Sequence, residues 1–583
     1  AAVAEREGKI MRKLILVLAL LGAATYVALA APEPAAPAAP KAPVVPVVPA
    51  AATPAAAAAV PATPAVVAAA ATKAASKSTA DHSKFKVLQE NFKSGPEVTK
   101  ACLSCHTEAA KQIHKTKHWT WEFINPENQQ KLGKKHIVNN FCTAVPSNRA
   151  FCNACHVGYG WKDDSFDFAS EANVDCLVCH DTTATYKKLP GLAGHPAYKE
   201  MEFPPKSGRM VKPANLPKIA QSVGPTSRAT CGACHFYGGG GDAVKHGDLD
   251  SSMTNPSKYL DVHMDAKGLN FTCATCHATT GHNIPGSRYT PTGKDTEPAH
   301  IRGKQDTSNP TTCQSCHGQS PHKSAEMADK LNQHSDKLAC QTCHIPQYAR
   351  GNVATKMTWD WSTAGKLTAD GKPFTTKDSS GRHESYSSKK GNFTYESEVI
   401  PEYIWINGKV KYTLLGDPVN TTGVTQINRY DGSPTDGKSR IWPVKVFRGK
   451  QPYDLETKSL LVPHTAVGYG EKDDTAYWDN FKWEAALKAG SEAAGRPFGG
   501  KFDFVKTEMT WPITHMVAPK EDALSCVQCH SKNGRLQNVE GIYMPGRDSS
   551  RTLDFLGWLA ALAALIGVVV HGGVRIYLSR KAG

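Results

Sequence analysis

Residues 173–181 read Asn173-Val174-Asp175-Cys176-Leu177-Val178-Cys179-His180-Asp181. The pattern at the centre, Cys-x-x-Cys-His, occurs eight times and takes sixteen of the chain's seventeen cysteines. The copies are Cys102/Cys105/His106, Cys152/Cys155/His156, Cys176/Cys179/His180, Cys231/Cys234/His235, Cys273/Cys276/His277, Cys313/Cys316/His317, Cys340/Cys343/His344 and Cys526/Cys529/His530. This is the attachment signature of a c-type haem. The two thiols form thioethers to the haem vinyl groups, and the adjacent histidine ligates the iron. A zinc half-site or a thioredoxin-like pair uses Cys-x-x-Cys but does not impose a histidine after it. Eight copies, each with its histidine, predict eight covalently bound haem c groups and electron transfer as the chemistry.

The spacing of the motifs predicts the fold class. Seven lie between residues 102 and 344, and the eighth stands alone at 526–530. So little chain per haem predicts a multihaem cytochrome c without an ordinary core: mainly short α-helices and irregular loops wrapped round a haem array that itself forms the interior. Gly238–Gly241, Pro204-Pro205 and Pro346 suit such wrapping. Residues 351–511 contain no cysteine and carry β-branched and aromatic runs, so they predict a small β-containing, haem-free insert. Within it, Asn407-Gly408 between Tyr403 and Tyr412 reads as a hairpin turn. The expected partition is 1–30 upstream residues and signal peptide, 31–80 tether, 81–350 seven-haem domain, 351–511 insert, 512–550 eighth-haem segment and 553–576 transmembrane helix.

The ends predict where the protein works. Met11-Arg12-Lys13, an apolar stretch and Ala28-x-Ala30 form a secretory signal with its cleavage site. Residues 1–10 are expected to be untranslated, since Glu5-Arg6-Glu7-Gly8-Lys9 fits a purine-rich ribosome-binding site. From Ala31 to about Ala75 the chain is almost all Ala, Pro and Val, which predicts an extended tether. Phe555–Val574 is long and apolar enough to span a bilayer. Arg575, Arg580 and Lys581 follow it, placing that end in the cytoplasm and the haem domain outside. His571 inside the span is a functional candidate, either a tolerated interfacial residue or part of a b-type haem or quinone site shared with a membrane subunit. The expected partners are a b-type cytochrome or quinol-oxidising membrane protein and other c-type cytochromes.

The formal net charge of +15 does not predict nucleic-acid binding. Eight haems add about sixteen propionates, mostly ionised near neutral pH. The lysines are expected to pair with them or to form a positive funnel for a small anionic substrate.

Each iron has a sixth position, where a second histidine makes an electron-transfer haem and a lysine or a vacancy makes a reaction site. Candidates are His118, His246, His263, His282, His322, His334 and His515, with His114 and His136 as replacements. His82, in the linker, and His383, in a polar loop, read as surface residues. Seven candidates for eight haems leave room for one non-histidine ligand.

From about Lys100 to Arg547 the chain resembles the octahaem tetrathionate reductases, periplasmic multihaem cytochromes. The likeness lies in the number and order of motifs and in CLSCHTEAAKQIHKTKHW, NNFCTAVPSN, VDCLVCHDTT, CGACHFYGGGGDAVKHGDLD, LNQHSDKLACQTCHIP, ATKMTWDWSTAGK and THMVAPKEDALSCVQCHSKNGRL. It implies seven haems with two histidine ligands and one, at the second motif, with lysine opposite its histidine and a cysteine nearby. Cys152, Cys155 and His156 would then hold the catalytic haem, with Cys142 as the pocket cysteine; the bland reading of Cys142 is an inert core thiol. Lys218 is the first choice of lysine, and Lys187 and Lys188 are the alternatives. The family places an acid three residues before the lysine, where this chain has Asn215; Asp181 is a substitute acid. The resemblance implies reductive cleavage of a small sulfur or nitrogen oxyanion or related N–O compound: tetrathionate, nitrite or hydroxylamine. Two other readings stay open: a purely electron-transferring conduit with all haems bis-histidine, and an oxidative enzyme of the hydroxylamine oxidoreductase kind.

Overall fold

The computed structural model describes residues 80–141, 144–205, 207–295, 311–323 and 326–582. The signal, the tether and Cys142 lie outside them.

The motif-bearing part follows the expected class. Most motifs coincide with a single helical turn, as at Leu177–His180, Cys273–Cys276, Gln314–His317, Cys340–His344 and Cys526–Cys529. One turn suffices because cysteines at i and i+3 and a histidine at i+4 share one helix face. Two of these turns begin where a side chain can satisfy the free amides. Thr272 with Thr275 and Ser525 with Gln528 form capping boxes immediately before Cys273 and Cys526. Longer helices carry two motifs: α1, Gly95–Leu103, ends on the first, and α2, Arg228–His235, contains the fourth.

The insert is β-structured, as expected. Its strands are β1 Thr355–Asp360, β2 Thr375–Lys377, β3 Glu384–Ser387, β4 Gly391–Glu396, β5 Glu402–Ile406, β6 Val424–Gln426, β7 Arg440–Asp454 and β8 Phe502–Pro512. They form one eight-stranded sheet in the order β6-β8-β7-β1-β4-β3-β2, with β5 also on β7. β7 pairs antiparallel with β8 from Val444–Pro512 to Asp454–Phe502, and parallel with β1 through Arg448–Thr358 to Lys450–Asp360. The Asn407-Gly408 hairpin is not formed as expected. Gly408 does turn the chain, with φ +97°, but β5 joins β7 while Val410–Tyr412 pairs with Asn428–Tyr430. Gly293 and Pro291 press against this turn and keep the two arms apart.

An ordinary core also exists, contrary to the expectation from spacing. Trp359, Trp361, Phe393, Phe447, Met509 and Trp511 of the insert are buried together with Leu132, Ile137, Val138 and Phe141. A second cluster, including Val98, Trp119, Tyr159, Leu177 and Ile219, surrounds the first three motifs. The sheet also positions motifs directly. Ala339 donates to the Ile441 carbonyl at 3.0 Å, Ile441 to Lys337 at 2.7 Å, and Thr342 Oγ1 to Ile441 at 2.7 Å, so the start of β7 fixes the seventh motif helix.

Arg551–Ala582, α3, is a single helix with no buried residue, long and apolar enough to cross a membrane by length and composition.

Candidate functional site

An imidazole nitrogen sits about 2 Å from a bound metal, so two rings on opposite faces of one iron have centroids roughly 6 Å apart. Among the described residues there are seven such pairs, each with one motif histidine: His106 with His82 at 6.3 Å, His235 with His118 at 6.2 Å, and His180 with His282 at 6.4 Å. His317 lies 6.0 Å from His263, His277 6.4 Å from His515, His344 6.1 Å from His322 and His530 6.1 Å from His334.

Second partners orient the rings for the same role. His180 bonds through Nδ1 to the Gly224 carbonyl at 2.8 Å, and His277 to Pro285 at 3.0 Å. His282 uses Nδ1 for Gln112 Oε1, His322 for Asn332 Oδ1, His334 for the Lys330 carbonyl and His515 for Asp248 Oδ2. Each leaves Nε2 for a metal, the usual arrangement around a ligating imidazole. These residues therefore fit haem at seven motifs.

Of the sixteen motif cysteines, Cys105, Cys276, Cys316 and Cys526 are exposed by the polypeptide itself and the other twelve are half-buried by it. Cys105 sits just past the end of α1, its Sγ 3.9 Å from Ser104 Oγ.

Three of the sequence-based choices sit elsewhere. His246 has Trp511 as its ring neighbour, at 5.1 Å. His114 stacks on Trp119 at 4.6 Å, and His136 bonds Glu122 at 2.7 Å. In place of His246 the set takes His82, which the sequence reading left on the surface. His383 bonds Asp378 in the insert, away from the motifs.

The second motif differs. Fully buried His156 has no histidine ring partner among the described residues and lies against Trp119, Trp121, Trp161 and Phe166. Burial pushes its pKa down to about 3, against the bond to Trp119 that raises it, leaving a neutral imidazole. Its Nε2 is 2.8 Å from the Trp119 carbonyl, a bond that binding to iron would displace. Lys188 is committed to its backbone. Its Nζ donates to the carbonyls of His156 and Gly158 and pairs with buried Asp175 at 3.0 Å. Asp175 also accepts from Tyr159 and Tyr186.

Lys218 is exposed on the turn Leu216–Gln221, and Lys187 is also exposed. Asn215, standing where an acid was expected, is the cap of that turn: its Oδ1 accepts from the Lys218 amide at 3.1 Å. Asp181 is taken up by its own loop, accepting from Thr183 and Tyr186. Lys134, Lys188 and Lys245 are all within electrostatic reach of Cys155, and of these Lys245 is the one that lies over Trp511. Burial, then the charges of Arg288 and Lys134, hold its ammonium well below 10.5. Its Nζ stands 5.1 Å over the Trp511 ring, and the Arg288 guanidinium stands 4.8 Å over the same ring. Buried Arg288 Nη1 and Trp511 Nε1 have no hydrogen-bond partner among the described residues. Asp242, three residues before Lys245, accepts from Ser251. That acid-x-x-Lys spacing lies in GGGGDAVKHGD, the signal the sequence reading passed over.

The motif cysteines show which sites adjoin. Cys102 and Cys176, Cys155 and Cys234, Cys231 and Cys273, and Cys313 and Cys340 lie close enough for their thiols to influence one another. Cys179 is close to Cys231, Cys276 to Cys313, and Cys343 to both Cys526 and Cys529. Thioether formation removes these acidities, so what matters is proximity. The sites run first, third, fourth, fifth, sixth, seventh, eighth, and the second branches from the fourth.

Known proteins are similar to this chain. Residues 356–533 match the family Cytochrome c bacterial, and residues 101–181 match Cytochrome c554 and c-prime. An uncharacterized protein of Archaeoglobus fulgidus is 25% identical over 266 residues, 38% of this chain and 86% of that one. The crystal structure of octaheme cytochrome c from Shewanella oneidensis is 41% identical with a TM-score of 0.67, covering 80% of this chain and 100% of that chain. With eight Cys-x-x-Cys-His motifs and that likeness over the whole crystallised relative, this chain belongs to the octahaem c-type cytochromes, redox proteins with covalently bound haem.

Proposed function

We propose that the chain is an extracytoplasmic, membrane-anchored reductase of a small sulfur or nitrogen compound of the tetrathionate, nitrite or hydroxylamine class, acting at the second motif. The carrying observation is the exception among the motif histidines: among the described residues seven face a second histidine, while His156 faces none, and Lys245 is one of three lysines within electrostatic reach of its Cys155. Lys245 replaces Lys218 as the proposed sixth ligand.

When bound, the haem supplies the one-electron redox chemistry. The chain's residues do the rest. Cys152 and Cys155 would fix the group, and His156 would ligate it, its backbone carbonyl braced by Lys188. Lys245, whose charged form burial disfavours, would offer its Nζ as a nitrogen donor toward the group. Arg288 Nη1 and Trp511 Nε1 provide free donors beside it for an anion, in a setting where fixed donors act strongly. Asp242 is the nearest acid in sequence with the expected spacing, though its tie to Ser251 makes it a positioning group as well. Cys142 keeps its role as pocket cysteine by resemblance; its neighbour Phe141 packs at 5.9 Å against Trp511.

One observation favours the conduit as a second reading. Seven of the sites form one continuous series by the proximity of their cysteines, from Cys102 beside Cys176 to Cys343 beside Cys526.

Low-temperature EPR of the oxidised protein with and without nitrite or tetrathionate separates the two. A signal from one haem that changes with the anion supports the reductase. Eight bis-histidine signals indifferent to both anions support the conduit.

A further inference from the structure

The eighth site is distinguished by the chain that leaves it. Cys526 is exposed, Val527 is 67% exposed, and His334, the ring facing His530, is on the surface. The segment after His530 is pinned in place. Leu536, Val539 and Met544 bury against Ile441, with Tyr403, Trp405 and Cys529 at their margin. Arg547 donates to the carbonyls of Leu536, Val539 and Ile542, and Trp405 Nε1 donates to that of Glu540 at 3.0 Å. Gly546 touches the ligand's own backbone: a Cβ there would meet the His530 carbonyl oxygen at 2.6 Å. Five residues later α3 begins, with every apolar side chain uncovered. Tyr543, 72% exposed, lies on the same connecting segment.

We propose that the eighth motif site is the membrane-facing electron port, held at a lipid surface by the short pinned segment between His530 and α3. The proposal rests on the anchored reading above and adds which site receives the electrons. Cys105, Cys276 and Cys316 are exposed as well, but only the eighth site is joined to an apolar helix by so short a segment. The reductant is of the hydroquinone class, dissolved in the same membrane. Its oxidation to the quinone releases two electrons and two protons; the protons pass to the water outside. The electrons pass singly into the eighth site, then through the seventh, sixth, fifth and fourth to the second, where substrate takes them up. Fixed chain length sets the distance: five residues span no more than about 18 Å even when extended.

The test uses the full-length, haem-loaded protein with lipid vesicles carrying a lipid-tethered viologen, reduced beforehand, and dithionite in water as the comparison. Co-sedimentation with the vesicles reports the anchor by itself; its failure overturns the anchored reading and the port with it. Hydrogen exchange on the sedimented protein is expected to show protection over residues 531–547 and around His334. Co-sedimentation with protection at the His82–His106 end instead overturns the port alone. A thioether ligand raises a haem's potential, so in His334→Met electrons from the tethered viologen stall at the eighth site and the other sites fill about tenfold more slowly. Reduction by dithionite, which reaches the exposed first site, changes far less. Tyr543→Asp leaves all ligands in place and is expected to weaken lipid protection and slow only the tethered reductant. Equal rates for both reductants in both variants overturn the proposal.

Discussion

His82 and His106 face each other with ring centroids 6.3 Å apart and planes 20° apart. His82 is held there by one turn, His82–Lys84, capped by Asp81, whose carboxylate accepts from the Ser83 amide at 3.2 Å. Its Nδ1 is buried without a hydrogen-bond partner among the described residues. If His82 is the sixth ligand of the first haem, His82→Ala leaves the covalent haem content unchanged and opens one iron. EPR should then show one low-spin signal replaced by a high-spin one, and the reduced protein should bind carbon monoxide at that site. An unchanged spectrum would show that the pair is a surface stack.

Lys245 and Lys218 give opposite expectations. Lys245 packs over Trp511 beside Cys155, and Lys218 projects into solvent from a capped turn. Lys245→Ala is expected to change the spectrum of one haem and cut turnover about 100-fold, the scale of losing one preorganised group at a reacting centre. Lys218→Ala touches only surface, where substitutions shift stability by no more than about 0.5 kcal/mol, and should leave spectrum and turnover as they are. Reversed results would return the assignment to the turn at 216–221.

The motifs were fully legible in the sequence because the chemistry demands adjacent residues: two thiols and an imidazole on one turn. Sixth ligands were less legible than the motifs, since each arrives from a distant segment. His515 comes to His277 only because β8 delivers the chain there, and His82 looked like linker because nothing local marks it. His246 misled for the opposite reason: its neighbours Lys245 and Asp248 are functional-looking, yet its ring is spent on Trp511. The Asn407-Gly408 turn was correctly placed, but strand partners depend on Gly293 and β7, which local sequence does not encode. The insert's core was underestimated because part of it, Leu132, Ile137, Val138 and Phe141, lies among the motifs rather than in the insert.

Asp454 closes the long central strand and is expected to set acid stability. Its Oδ1 accepts from the amides of Glu456 at 2.7 Å and Thr457 at 2.8 Å, and its Oδ2 from Gly499 at 2.6 Å. Burial pushes its pKa up, but the amides of Thr457, Gly499 and Glu456 outweigh that and hold it below 3.8. A depressed carboxylate stabilises the fold above the unfolded value of about 3.9, and that stabilisation is lost as pH falls through the folded value. Asp454→Asn should therefore cost about 2 kcal/mol at pH 7, as expected for hydrogen bonds to a charged group. The gap from the native chain should close below about pH 4. Urea unfolding followed by far-ultraviolet circular dichroism at both pH values measures it. A gap independent of pH would mean the carboxylate charge is not what the three amides hold.

Gly546 and Gly371 separate backbone strain from close approach. Both have positive φ, +88° and +75°. A Cβ at Gly371 meets nothing within 4 Å, while one at Gly546 meets the His530 carbonyl oxygen at 2.6 Å, its carbon at 2.9 Å and the Ser531 amide nitrogen at 3.2 Å. Gly371→Ala should cost only the left-handed penalty, about 1–2 kcal/mol. Gly546→Ala adds a clash with backbone, which has no rotamer to yield, so the segment must move away from the eighth motif. The expected outcome is a shifted EPR signal for one haem, faster hydrogen exchange over residues 531–547, and the other seven signals unchanged. If the two alanine variants behave alike, Gly546 serves only the turn and the contact with His530 is not holding the eighth site.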